Sequence, residues 1–390
     1  MNARHLSSAL LLLVLLPGLA SAQTRKYLAF GDSITEGVGD SPNHEERGYP
    51  PRLENLLRAA GADVTVENHG KGGEKTPEGL MRINSVLDQG KAGDVLLLTE
   101  GTNDISKDVG IETTIFNLDE MRNRAATRGI DTIFATVIPR RPDARFDPNN
   151  EETDQLNGRI RNLAGLRQRR LQDSYEIFLT TPNLYQQFYD PALDDPVGHP
   201  NSAGYDRLAR IWFNTIQGND TVWPVHGITD PVKGERNVPA DTEIKVDVWD
   251  FGSGIDIANT FLLVNGQPVS ATPVGNVRMV TLQYKPPTPL SGTVSVGLRS
   301  RDLSNPPATV DREIFSFTIQ GAATTLQGDL NNDGRVDGAD LVAFGLRFGS
   351  QTGDANYDAD ADFNDDGKVD GSDLAVLASN FGRSASSTNP

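Results

Sequence analysis

The chain has 390 residues, 37% of them apolar, and carries 36 Lys and Arg against 53 Asp and Glu, a formal net charge of −17. That length has room for roughly two or three domains of about 100–200 residues, and the acid excess excludes a protein that grips nucleic acid through its phosphate backbone, which needs a positive surface. Cysteine is absent, which excludes disulfide scaffolds, thiol nucleophiles and Cys-ligated zinc or iron–sulfur centres.

Arg4 and His5 precede an apolar run from Leu10 to Leu16, broken by Pro17-Gly18 and followed by Ala20-Ser21-Ala22. A basic start, a short apolar stretch and a small-x-small end read as a secretory signal peptide cut after Ala22. The run is too short for a bilayer span, which takes ~20 apolar residues. The expectation is a secreted protein, extracellular or at the cell surface, with residues 1–22 outside the fold and no membrane span.

From 23 to 220 the sequence alternates between two textures. Short apolar runs (Tyr27 to Phe30, Val64 to Val66, Val95 to Leu98, Ile130 to Ile138, Tyr175 to Leu179) read as buried strands. Helix-length stretches lie between them: Pro51 to Ala60, Glu78 to Leu87, Thr113 to Thr127 and Asp154 to Arg170. In a last helix Tyr205, Leu208, Ala209, Trp212, Phe213 and Ile216 share one face. This alternation predicts an α/β domain with a parallel sheet sandwiched by helices.

Between 222 and 320 the helical period disappears. Thr242 to Val248 alternates polar and apolar, the strand period, and Thr260 to Val264, Val277 to Tyr284, Thr293 to Leu298 and Glu313 to Ile319 continue it. Asn265-Gly266 between two runs marks a hairpin. An all-β sandwich follows. Its texture, with Trp249-Asp250-Phe251-Gly252-Ser253-Gly254-Ile255-Asp256 and Arg301-Asp302-Leu303-Ser304-Asn305, resembles bacterial Ig-like domains.

In residues 321–390 four basic residues face twelve Asp. A repeat argues against a disordered acidic tail. The windows Asp329 to Asp340 and Asp362 to Asp373 both place oxygen side chains at loop positions 1, 3, 5, 9 and 12 and Gly at 6. These are Asp329, Asn331, Asp333, Asp337 and Asp340 in the first, and Asp362, Asn364, Asp366, Asp370 and Asp373 in the second. Arg335 and Lys368 stand at position 7, which gives a backbone carbonyl. Ca2+ takes six to eight hard oxygen ligands and such loops supply them. Two structural Ca2+ ions are expected. Each loop leads into a similar apolar helix, Leu341 to Gly349 and Leu374 to Gly382. Asp instead of Glu at position 12, and no helix leading in, make this region resemble a dockerin type I domain over about Gln327 to Arg383. The resemblance implies docking to a cohesin-like partner. Positions 10 and 11, which guide partner choice in that family and are often Ser-Thr, are Gly338-Ala339 and Gly371-Ser372 here.

Four blocks of the first domain carry the chemistry. Phe30-Gly31-Asp32-Ser33-Ile34-Thr35-Glu36-Gly37 follows the first strand, Asn68-His69-Gly70-Lys71-Gly72-Gly73 the second, and Gly101-Thr102-Asn103-Asp104 the third. Asp195-Pro196-Val197-Gly198-His199-Pro200-Asn201 precedes the last helix. Strand C-terminal ends line the crevice where open α/β sheets bind ligands. The set, in this order, resembles the SGNH (GDSL-type) hydrolases over about Lys26 to Gln217.

The resemblance implies an ester hydrolase needing no catalytic cofactor. Ser33 is its nucleophile, which requires a base to take its proton. His5 leaves with the signal peptide, and of His44, His69, His199 and His226 only His199 sits in the family's final block. The oxyanion donors carried over are the Ser33 backbone N–H, the Gly73 N–H, with Gly72 as the other candidate, and the Asn103 side chain. The orienting acid in the family stands three residues before His, where this chain has Pro196. Asp195, four before, is the expected partner, with Asp194 one residue further and a backbone carbonyl as the alternative. Asp32 and Asp104 are read as caps or braces. The expected substrate is a carboxylic, acetyl-type ester on a polysaccharide. A general short-acyl or lipase-type esterase and a non-catalytic calcium-dependent surface scaffold are the competing readings.

Overall fold

A computed structural model describes residues 24–41, 47–140, 148–189, 198–220, 222–320, 327–331, 335–354, 356–364 and 366–383. The mostly apolar runs at 27–30, 95–98 and 132–135 carry buried side chains on consecutive residues, so these strands face two cores at once, whereas at 64–70 only Val64 and Val66 are buried. Strands β1 (Arg25–Gly31), β2 (Val64–Gly70), β3 (Val95–Thr99), β4 (Asp131–Ala135) and β5 (Leu171–Gln172) form a five-stranded sheet in the order β2-β1-β3-β4-β5. Every pairing in it is parallel. Tyr27, Ala29, Val95, Leu97, Ile133 and Ala135 point into one core, and Leu28, Phe30, Leu96, Leu98 and Phe134 into the other.

Nine helices among the described residues cover these faces: α1 (Ser33–Glu36), α2 (Tyr49–Ala59), α3 (Thr76–Leu87), α4 (Thr102–Ser106), α5 (Ile111–Thr127), α6 (Pro148–Leu166), α7 (Ser174–Leu179), α8 (Leu184–Phe188) and α9 (Ser202–Gln217). Helices α2, α7, α8 and α9 pack on the first face, and α3, α4, α5 and α6 on the second. The expected face of α9 is the buried one, with Trp212 stacked on Tyr49.

One expected strand is a helix. Tyr175 to Leu179 forms α7, and the sheet position is taken by the two residues of β5. Asp173 stops the strand and caps the helix, its carboxylate accepting from Glu176 N at 3.2 Å.

The second region is two four-stranded sheets with no helical layer. Strands β6 (Val225–Asp230), β7 (Ile244–Trp249), β8 (Phe261–Val264), β9 (Gln267–Pro268), β10 (Thr272–Asn276), β11 (Met279–Tyr284), β12 (Thr293–Arg301) and β13 (Thr309–Thr318) pair antiparallel, in the orders β10-β11-β7-β6 and β13-β12-β8-β9. Ile244, Val246 and Val248 enter a shared core while Lys245 and Asp247 alternate away from it. The Asn265-Gly266 turn joins β8 to β9 with both φ angles positive, as a two-residue hairpin of the right hand requires.

The third region holds α10 (Gly338–Gly345) and α11 (Gly371–Asn380) around a small core of Leu330, Val336, Phe344, Ala361, Val369 and Leu377. The two halves pair reciprocally. Val336 of the first window bonds Gly382 and Arg383 beyond α11, and Val369 of the second bonds Gly349 and Ser350 beyond α10. No helix of the described residues is long and apolar enough to cross a membrane.

A buried ionic cluster joins the sandwich to the α/β unit. Arg161 of α6 is fully buried and binds Asp173 at 2.7 and 3.1 Å, Glu176 at 3.4 Å and the His226 carbonyl of β6 at 2.8 Å. Arg312 of β13 and the Trp223 indole meet Glu176 from the sandwich side. Burial opposes the Glu176 carboxylate, yet Arg312 and Arg161 hold its pKa below the ordinary range. Removing one member of a buried ion cluster leaves the others charged and unpaired. Arg161→Met is therefore expected to destabilise the α/β unit by about 3–5 kcal/mol in denaturant unfolding. Adding Asp173→Asn and Glu176→Gln to that variant should recover part of the loss, which a purely steric effect of the Met would not allow.

Candidate active site

Strands β1, β2 and β3 end level: Gly31 pairs with Gly70 on one side and Thr99 on the other. The three sequence blocks therefore leave the sheet side by side. The first turns at once into α1, where Asp32 Oδ1 accepts from Ile34 N at 2.9 Å and so caps the helix that starts with Ser33. This turn lies hard against the end of β2. A methyl at Gly70 would stand 2.1 Å from Glu36 N, so only glycine fits there.

His199 Nε2 lies 2.8 Å from Ser33 Oγ. The histidine sits just before α9, whose cap Asn201 accepts from Gly204 N at 2.9 Å. The Asn201 amide donates to the Gln187 and Tyr189 carbonyls, which ties this segment to the end of α8. His69 of β2 is held by Glu67 of the same strand at 3.4 Å, and His226 of β6 by Asp154 of α6 at 3.3 Å. His44, Asp194 and Asp195 lie outside the described residues.

The glycine block approaches Ser33 closely. A methyl at Gly72 would come within 3.9 Å of Ser33 Cβ. The Gly72 N–H, however, donates to Glu36 Oε2 at 2.6 Å. Gly73 has φ +73°, and no acceptor among the described residues meets its N–H or that of Ser33. The Asn103 amide donates one hydrogen to the Glu74 carbonyl at 2.9 Å, which leaves its second hydrogen for another acceptor.

Glu74, Arg82 and Arg140, which the sequence does not single out, hold this arrangement together with Asp104, the expected brace. The buried Glu74 carboxylate is gripped by Arg82 Nε at 2.9 and 3.0 Å, and the guanidinium lies over the Phe30 ring. Asp104 accepts from Thr76 N at 3.0 Å, Thr76 Oγ1 at 2.6 Å and Thr114 Oγ1 at 3.2 Å. It thereby anchors the start of α3 beside Asn103. Arg140, also buried, bonds the Thr102 carbonyl and Ser106 Oγ of α4. Glu74 and Arg82 stand eight positions apart on a loop and a helix, a spacing that no local periodicity marks.

Four carboxyl groups, Asp32, Glu74, Glu100 and Asp104, lie buried beneath this edge. Burial pushes Asp32 up to about 6. Burial, followed by the nearby Asp32, Glu74 and Asp104 charges, raises Glu100 well above the ordinary range. Neither Glu100 oxygen meets a partner among the described residues, as suits a group held neutral.

In the acidic repeat, Asp340 and Asp373 are buried and fold back onto their loops. Asp340 accepts from Leu330 N, Asn331 N and Asp337 N at 2.8–3.1 Å, and Asp373 from Asn364 N and Asp370 N at 3.3 and 2.9 Å. Asp362 accepts from Asp366 N and Gly367 N, and Asn364 Oδ1 from Asp366 N. The side chains at positions 1, 3 and 12 of the second loop thus turn inward, and the donor set of both loops is all oxygen. That fits a hard cation such as Ca2+ and not a soft one. Asp329, Asn331, Arg335 and Asp337 occupy the corresponding places of the first loop, and Asp333 lies outside the described residues.

Residues 29–207 match the GDSL-like Lipase/Acylhydrolase family and residues 327–381 the Dockerin type I domain. The chain thus carries a GDSL-like lipase/acylhydrolase domain and, C-terminal to a β-sandwich, a dockerin type I domain. An arylesterase from Vibrio mimicus is 30% identical over 118 residues, which cover 30% of this chain and 57% of that protein. A multidomain esterase from Ruminococcus flavefaciens is 26% identical over 248 residues, which cover 54% of this chain and 31% of that protein. The matched regions thus span 57% and 31% of the length of these two relatives. The crystal structure of a lipase/acylhydrolase from Enterococcus faecalis aligns with a TM-score of 0.40 at 25% identity, covering 50% of this chain and 96% of the other.

The raised Asp32 sets a pH dependence. A carboxyl whose pKa is higher in the fold than in the unfolded chain favours folding while protonated, and that contribution is lost as pH rises through the folded value. Between pH 3.8 and about 6 the wild type is expected to lose up to about 3 kcal/mol relative to Asp32→Asn. Denaturant unfolding of both proteins across that window measures it, and a constant difference would remove Asp32 as the source.

Proposed function

We propose that the chain is a secreted serine esterase that cleaves carboxylic esters, with acetylated polysaccharide as its substrate. The observation that carries this is the 2.8 Å contact between Ser33 Oγ and His199 Nε2, beside the Ser33 and Gly73 N–H groups that meet no acceptor among the described residues. His199 takes the Ser33 proton as Oγ attacks the ester carbonyl. The oxyanion is met by the N–H groups of Ser33 and Gly73 and by the second amide hydrogen of Asn103. Gly73 is assigned over Gly72 because Glu36 already takes the Gly72 N–H. Collapse of the intermediate expels the alcohol with the proton from His199. Water then attacks the acyl-serine with His199 again as base. Asp195 is assigned as the acid that orients the imidazole. No metal takes part in these steps.

The division we assign is a signal peptide at 1–22, the hydrolase domain at 23–220, the sandwich at 222–320 and the calcium module at 321–390. The module holds two Ca2+ ions and docks to a cohesin-like protein, which places the catalyst on a polysaccharide-degrading assembly or surface. Exposed Val342 and Leu346, one turn apart on and just beyond α10, and exposed Phe381 at the end of α11 support a docking face. The acetyl and polysaccharide assignments rest on this association of modules, because a fold does not name a substrate.

Ser33→Ala is expected to abolish release of acetate from acetylated xylan, pectin and chitin oligomers and from short acyl esters. Equal release by wild type and variant would leave the calcium-dependent scaffold reading instead. Asn103→Ala should lower turnover by about 10²–10³-fold, and a loss below about tenfold would take Asn103 out of the oxyanion site. Within the same panel, a preference for long acyl chains would favour a lipase-type hydrolase.

Calcium titration of the full chain by calorimetry tests the module. Asp340→Ala is expected to remove one binding event and Asp373→Ala another. Unchanged stoichiometry in both variants would refute the paired sites.

A further inference from the structure

Asp220 follows α9, Asp250 follows β7 and Asp302 follows β12. Although distant in sequence, one carboxylate oxygen from each lies within 4.8 Å of the others. Asp250 and Asp302 are only 3% and 1% exposed. Each spends one oxygen on its own loop. Asp250 Oδ1 accepts from Gly252 N and Gly254 N, both at 2.8 Å. Asp302 Oδ1 accepts from Ala308 N at 2.8 Å, Ser304 Oγ at 2.7 Å and Ser304 N at 3.2 Å. The remaining oxygen of each, Oδ2, is buried and has no hydrogen-bond partner among the described residues.

Asp220 approaches from the α/β side. Its Oδ2 accepts from Ser253 N at 2.7 Å, and a methyl at Gly252 would stand 2.2 Å from its Cγ, so the loop backbone closes directly on the carboxylate. The nearby Arg278 donates to the Gly252 carbonyl at 2.9 Å. Two buried, unpartnered anionic oxygens beside a third carboxylate are costly unless a positive charge joins them. Ca2+ binds carboxylate oxygens at 2.3–2.6 Å, so its ligands stand up to about 5 Å apart across the ion. The observed spacing suits that shell.

We propose that Asp220, Asp250 and Asp302 form a Ca2+ site at the junction between the α/β domain and the sandwich, separate from the dockerin loops. The ion fastens the segment leaving α9 to two loops of the sandwich. It neutralises carboxylates that otherwise repel one another.

The tryptophans provide a selective probe. They stand at 212, 223 and 249, and residues 321–390 contain none. Trp249 adjoins Asp250 and stacks on Phe251 with ring centroids 6.0 Å apart. Tb3+ occupies Ca2+ sites and emits when a nearby tryptophan is excited. The full chain, stripped with chelator and titrated with Tb3+ under tryptophan excitation, is expected to give saturable emission that Ca2+ displaces. Asp340→Ala/Asp373→Ala should keep that emission, and Asp250→Asn/Asp302→Asn should lose it. Asp220→Ala, at an exposed position that leaves the sandwich core intact, should weaken Ca2+ competition about tenfold or more. Thermal unfolding gives a second reading. Ca2+ should raise the sandwich transition of the wild type but not that of Asp302→Asn, which in chelator should melt at or above the wild type because one repelling charge is gone. Absent tryptophan-sensitised emission, emission that survives Asp220→Ala and Asp250→Asn/Asp302→Asn unchanged, or emission lost with the dockerin variants alone would overturn the site.

Discussion

In a parallel sheet the strand ends are set by register, and here Gly31 is level with Gly70 on one side and Thr99 on the other. Ser33, the Gly72-Gly73 pair and Asn103 follow those ends within a few residues, so three distant blocks meet without any long loop to order. Shifting one strand would move its block along the sheet by about 3.3 Å per residue, farther than a hydrogen bond tolerates. It would also exchange the strand's two core faces. Both faces of β1 and β3 are apolar, so alternation alone does not fix their register, whereas in β2 only Val64 and Val66 are buried. Tight packing adds to it, since α1 rests on Gly70 where no side chain fits. The Glu74 carbonyl, shared with Asn103, then links the second block to the third.

The chain handles buried acid in three ways. Beneath the strand edge, Arg82 neutralises Glu74, hydroxyls and an N–H satisfy Asp104, and Glu100 is driven toward its neutral form. At the junction with the sandwich, Arg161 and Arg312 bracket Glu176 from opposite sides, so each domain supplies part of the other's charge balance. Around Asp250 and Asp302 the described residues supply loop N–H groups to one oxygen of each and nothing to the other. In the first two, arginines of the polypeptide meet Glu74 and Glu176, while both Glu100 oxygens stay without a partner among the described residues. The third has loop donors on one oxygen of Asp250 and of Asp302 and, among the described residues, neither donor nor cation on the other.

Much of this architecture is legible from local pattern. Tyr205, Leu208, Ala209 and Trp212 mark a helix face by spacing alone, and Ile244, Val246 and Val248 mark a strand face. Tyr175 to Leu179 misleads because a short stretch of four apolar residues around Glu176 fits a buried strand and a short buried helix equally well. The distinction lies in Asp173, whose carboxylate caps the backbone. Ser33 and His199 are legible because motif order carries information that periodicity lacks. Arg82, Arg140 and the Asp220–Asp250–Asp302 group are not legible, because their partners lie near only after folding. A charged residue alone in sequence reads as solvated surface, and nothing in its neighbours reveals that it is buried.

The acidic repeat extends this argument from side chains to whole elements. Each window resembles a self-contained loop and helix, yet neither closes on itself. Val336 finds its backbone partners beyond α11, and Val369 finds its own beyond α10. Either half alone would leave those strand-like groups unpaired. Among the described residues the shared core has six buried apolar side chains, and a core of that size supplies little beyond the entropy cost of ordering the chain. Each position-12 carboxylate is buried and bonds the backbone of its own loop, where it joins like-charged side chains that repel unless a cation gathers them. Reciprocal pairing makes the two loops one cooperative unit, so an ion bound in one loop also favours the fold of the other.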